Sequence, residues 1–76
     1  MNRRSVADLR KGERARIVAL LDEPLSLKLF ELGFLPNTWV ELVFVAPLGD
    51  PIGVRINETY QLSLRKEEAK TILIAS

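Results

Sequence analysis

Catalysis needs groups of matched chemistry that face one another, and the polar residues of this sequence do not supply them. The carboxylates that cluster do so as the adjacent pairs Asp22-Glu23 and Glu67-Glu68. Neighbouring side chains on a strand or helix diverge, so neither pair converges on a shared proton. The hydroxyls of Ser26 and Ser63 have no histidine to activate them, because the chain contains none. A serine–lysine arrangement would need buried geometry for which this core has no room. Cysteine is absent as well, which removes the thiolate nucleophile, disulfides and the soft ligands of a zinc site. Carboxylates alone would suit only hard, weakly held cations. Gly49 and Gly53 lie in no Walker-type or dinucleotide-binding glycine pattern, so no phosphate loop is expected. These types and spacings predict a protein that is not an enzyme and has no cofactor, metal site or small-molecule substrate.

Binding remains, and three segments could carry it. The first is basic: Arg3, Arg4, Arg10, Lys11, Arg14 and Arg16 face only Asp8 and Glu13, six cations against two anions within residues 1–16. A small barrel could use Arg3, Arg4, Arg14 and Arg16 for nucleic acid if aromatic platforms lay beside them. Yet the whole-chain charge is +1, too small for a dedicated polyanion binder. By alternation Phe44 and Tyr60 fall on inward sets, and Trp39 has no Lys or Arg beside it in the chain. The cluster therefore reads as a solvated strand edge, and nucleic acid is the alternative.

The second segment is Ala46-Pro47-Leu48-Gly49-Asp50-Pro51. A polar loop would carry Ser, Asn or Lys, whereas this one sets Leu48 between Pro47 and Gly49. It is either a rigid turn whose Leu48 plugs a barrel mouth, or a pre-ordered docking edge with little ordering cost on binding. The third is the end of the one long helical pattern. Leu25, Leu29 and Leu32 make a core stripe there, but Leu27, Phe34 and Leu35 cannot all point inward with it. Surplus apolar surface tends to mark a partner site, so the expected contact residues are Leu27, Phe34, Leu35, Leu48 and Asp50.

The elements that position these residues are short. A chain of 76 residues fits one domain over residues 1–76, and a domain this small buries only about 60% of its unfolded surface. At 47% apolar residues it can fill one core and has none to spare for a deep cavity. Ser5 with Asp8 reads as a capped helical turn stopped at Gly12, with Val6 and Leu9 closing one end of the core. Residues 13–21 alternate as a strand, with Ala15, Ile17 and Ala19 inward, Arg14 and Arg16 outward, and a bulge toward the end. Residues 24–35 hold the helix: Pro24 suits its first turn, Gly33 a left-handed end, and Phe34 a fold-back onto Leu29. Strands follow at 38–46, with Val40, Leu42 and Phe44 on one face, at 52–56, and at 60–64 after an Asn57-Glu58-Thr59 turn. A charged helical turn at 65–69 precedes a closing strand at 71–75. The class is mainly β, about five strands curled into a small barrel that removes exposed edges, with one inserted helix after the first strand and a helical turn before the last.

No apolar run approaches the about 18 residues of a membrane span, and no signal-peptide core follows the first residues. A soluble cytoplasmic chain is expected, reaching a membrane only through a partner.

The order of motifs is that of a known family. Leu9 with Gly12 and Glu13 is followed by Leu29-Phe30-Glu31-Leu32-Gly33-Phe34 with Pro36. Val40-Glu41-Leu42, the A-P-L-G-D-P-I run at residues 46–52 and Leu64-Arg65-Lys66-Glu67-Glu68-Ala69 complete the series. In this order they resemble the FeoA family of the bacterial ferrous-iron uptake system, over nearly the whole chain. The resemblance implies an SH3-like barrel, and it implies a partner, the FeoB membrane transporter with its cytosolic GTPase domain, which such a protein would regulate. Many relatives begin the helix with Arg or Lys, whereas this chain has Leu25-Ser26-Leu27 and only Lys28, which favours an apolar contact. The same barrel resembles the C-terminal domain of DtxR-type metal-dependent repressors, an alternative kind of interaction domain. The starting Met and the lack of a winged-helix portion point away from a fragment of one.

Overall fold

The computed structural model describes residues 3–75. A 3-10 turn at Val6–Asp8 leads into strand β1 (Arg14–Leu20), helix α1 (Glu23–Glu31), β2 (Trp39–Val45), β3 (Ile52–Ile56), β4 (Tyr60–Leu64), the short helix α2 (Lys66–Ala69) and β5 (Ile72–Ile74). The strands form one antiparallel sheet in the order β4-β3-β2-β1-β5. The mainly β class, the inserted helix and the late helical turn are as expected. Closure differs: β4 and β5 are the two edges of the sheet and share no ladder. Helix α2 connects these edges in the chain, its Ala69 is fully buried, and the helix packs on the N-terminal turn.

Local chemistry sets each boundary. Ser5 Oγ accepts from Ala7 N–H at 3.2 Å and Ser5 N–H donates to Asp8 Oδ2 at 2.9 Å, so the N-terminal turn is closed by a reciprocal capping box. Strand β1 alternates through Ile17 in the core and Val18 outside, and its register with β5 shifts between Ile17 and Ala19. Asp22 caps α1 by accepting from Leu25 N–H at 3.1 Å. At the other end Phe34 N–H donates to Leu29 C=O at 2.9 Å and Gly33 N–H to Phe30 C=O at 3.0 Å. Gly33 takes φ 105°, the left-handed conformation that completes a Schellman end. This geometry folds Phe34 back beneath the helix, where it is completely buried.

Strand β2 departs from simple alternation. Leu42 pairs with Val54, but a register shift follows and Phe44 pairs with Gly53. The extra residue rotates Phe44 to the outer face, where it lies over Gly53, and a Cβ at position 53 would overlap the Cδ2–Cε2 edge of the Phe44 ring. Phe44 is therefore an outward residue, contrary to its expected inward place. Tyr60, opposite Ile56 at the first position of β4, is also more than half exposed, because a strand end has no further layer to cover it. The core itself is continuous, built from Val6, Ile17, Leu29, Phe34, Val40, Val54 and Ile72 at its centre.

Candidate functional site

The Pro-Gly loop is ordered by its own backbone. Ala46 N–H donates to Pro51 C=O at 3.0 Å and Gly49 N–H donates to Ala46 C=O at 2.7 Å. Pro47 sits where a turn wants a preset φ, and Gly49 takes φ 92°. Asp50 Oδ1 accepts from Lys66 N–H at 2.9 Å, which ties the loop to the first turn of α2. The consequence is that Leu48 stands at the apex, 97% exposed. It does not plug the barrel mouth, since the closed turn beneath it directs the side chain outward.

Helix α1 borders the same helix α2. Lys28 Nζ lies 3.4 Å from Glu68 Oε2, so α1 and the loop each make a polar link to α2. Leu27 is 67% exposed and Phe30, three residues on along the helix, is 41% exposed. Leu35 is exposed too, but it belongs to the turn into β2, where its C=O accepts from Thr38 N–H. Leu48 follows the far end of β2, beyond the Val45–Ile52 pair. The five expected contact residues are thus divided. Leu48 and Asp50 belong to the loop tied to α2, Leu27 lies exposed on α1, Leu35 sits at the opposite end of β2 from that loop, and Phe34 is core. Burial corrects Phe34's expected place on the surface, for the Schellman end that was legible in its spacing is what removes it.

A second arrangement crosses two strands. Arg16 pairs with Trp39, and Arg14 pairs with Glu41. The guanidinium groups of Arg16 and Arg14 lie 5.0 and 5.2 Å from the Trp39 ring centroid, within cation–π range. Trp39 lacks basic neighbours in the chain but gains two across the ladder. The outward sets of β1 and β2 would have disclosed this had the two strands been paired. Beside it Arg4 binds Glu13 at 2.9 Å. Together with the hydrogen bond from Arg10 N–H, Arg4 holds the Glu13 carboxyl down to about 2. Among the described residues no group of three or more Asp or Glu could hold a metal ion, and no helix is long and apolar enough to cross a membrane.

Comparison with known proteins bears on these surfaces. The family model of the FeoA domain matches residues 4–76. No curated protein matches the chain. Among solved structures, the FeoA-like protein of Clostridium acetobutylicum is 29% identical with a TM-score of 0.88, over 99% of this chain and 87% of that one. FeoA of Stenotrophomonas maltophilia, solved with zinc, is 26% identical with a TM-score of 0.82, over 95% of this chain and 89% of that one. It is described as a procaryotic SH3 domain protein and a possible ferrous iron transport activating factor. A manganese-dependent transcriptional repressor matches at a TM-score of 0.87 and 15% identity, over the whole of this chain and 37% of that one. At that identity the likeness is one of fold.

Proposed function

The chain belongs to the FeoA family, and on that premise we propose that it is a small accessory protein of bacterial ferrous-iron uptake that docks on a FeoB-type transporter and modulates its activity. The observation that carries this reading is Leu48, almost wholly exposed at the tip of a loop whose backbone is already ordered. An exposed leucine on a rigid turn contributes apolar burial on docking with little further loss of chain entropy. Exposed Leu27 on α1 adds apolar area to the contact, and Asp50 holds the loop in place through Lys66 N–H. Leu35 contributes at the helix end, while Phe34 acts from beneath by shaping it. A binding role accords with a chain that lacks histidine and cysteine. The protein works in the cytoplasm and meets the membrane only through the transporter.

The test is recovery of the transporter from solubilised membranes on the immobilised full chain, with and without guanine nucleotide. Leu48→Asp should abolish recovery while the fold, read by far-UV circular dichroism, stays intact. Undiminished recovery by this variant would overturn the placement. GTP hydrolysis by the recovered transporter, with and without added chain, reads the direction of the modulation.

A further inference from the structure

The outer face of β1 and β2 carries a large indole that packing leaves 40% exposed. Arg14 and Arg16 stack on that indole, and with Arg4 and Glu13 they border a groove of about 330 Å³. Glu13 engages Arg4, and Glu58 engages Arg14 at 2.7 Å. Among the described residues no carboxylate forms an ion pair with Arg16. From this arrangement we infer that the face is a binding site for an extended acidic peptide segment of a protein partner.

The chemistry follows from what stacking leaves free. A guanidinium that lies over a ring uses its π-face there and keeps its N–H edges for a carboxylate fork. The indole also holds the long side chain in place, which lowers the ordering cost of binding. Arg14 and Arg16 are two apart on one strand, so their side chains repeat at about 6.6–6.8 Å. Carboxylates at alternate positions of an extended segment have the same repeat. Of the three arginines in the groove lining, Arg4 is paired with Glu13 and Arg14 with Glu58, and the remaining cation, Arg16, suits an anionic guest. A nucleobase fits less well, since it would have to displace a guanidinium already over the ring. This site is separate from the Leu48 loop and does not depend on the transporter reading.

Trp39 is the single tryptophan, so its emission reports the site directly. The probe is a blocked octapeptide alternating Glu and Thr, titrated into the full chain at low salt, with the Gln–Thr peptide as control. A saturable change in Trp39 emission is expected with the acidic peptide only, and it should weaken as salt rises. Arg16→Gln should weaken binding about tenfold, the loss of one charged hydrogen-bonding group. Arg16→Lys, which keeps the charge and loses the fork, should fall between the two. Unchanged circular dichroism shows that each variant is folded. No saturable change, equal binding by Arg16→Gln, or tighter binding of an oligothymidylate of equal length would each overturn the assignment, the last in favour of nucleic acid.

Discussion

Phe34→Ala separates the core from the docking surface. Phe34 is fully buried beneath the end of α1, and removing a buried aromatic ring from a packed core costs about 3–5 kcal/mol. The whole stability of a 76-residue domain is about 4–11 kcal/mol at roughly 0.05–0.15 kcal/mol per residue. The variant therefore loses about a quarter of its stability at the least, and all of it at the worst. Urea unfolding measures the loss, followed by far-UV circular dichroism and by Trp39 emission. With a slope of about 1 kcal/mol per molar urea, the midpoint should fall by about 3 M or more. Leu35→Ala is the matched control. Its side chain is 46% exposed, so it should lose about 1 kcal/mol or less. A Phe34→Ala loss below about 1 kcal/mol, or a loss no larger than that of Leu35→Ala, would refute the burial of Phe34 and the Schellman geometry that enforces it.

Three further outcomes are expected. Gly53→Ala places a Cβ against the Cδ2–Cε2 edge of the Phe44 ring, so the ring must swing off the sheet at about 1–2 kcal/mol. Combined with Phe44→Ala that penalty should shrink, which a double-mutant cycle in urea would read. Asp50→Ala removes the acceptor for Lys66 N–H and should lower stability by about 1 kcal/mol, as loss of a helix-capping oxygen does, with a fall in Tm of about 4–8 °C for a domain of this size. Glu13 titrates at about 2 in the folded chain against an ordinary 4.5. Because its folded value is depressed, its contribution is complete above pH 4.5 and fades as pH falls from there through about 2. Midpoints measured across that window should decline less for Glu13→Gln than for the parent chain.

The elements were legible because each carries a local signal. Ser5 with Asp8, Pro24, and Gly33 before Phe34 mark the turn and both helix ends, and alternation marks the strands; the Asp22 cap showed only in the structure. The bulge between Leu42 and Phe44 was not legible, because a one-residue insertion leaves composition unchanged and reveals itself only against a partner strand. The same reason hid the Arg14–Trp39–Arg16 stack, which exists only through the β1–β2 register. The open seam between β4 and β5 was likewise hidden, since nothing local shows that these two strands would not pair. Of the expected contact residues, Leu27, Leu35 and Leu48 are exposed. Surplus alone could not tell that Phe34 would be the one drawn inward, nor that Leu35 and Leu48 would stand at opposite ends of β2.

The most direct test of the docking account is the affinity of the purified full chain for the purified FeoB-type transporter, measured for the parent, Leu48→Asp and Leu35→Asp. If the loop is the anchor, Leu48→Asp weakens binding about 30-fold or more, the loss of a hot spot of at least about 2 kcal/mol. Leu35→Asp should weaken it less. Affinity for Leu48→Asp within about twofold of the parent, well under 1 kcal/mol, would contradict the claim that this loop is where the chain meets its partner.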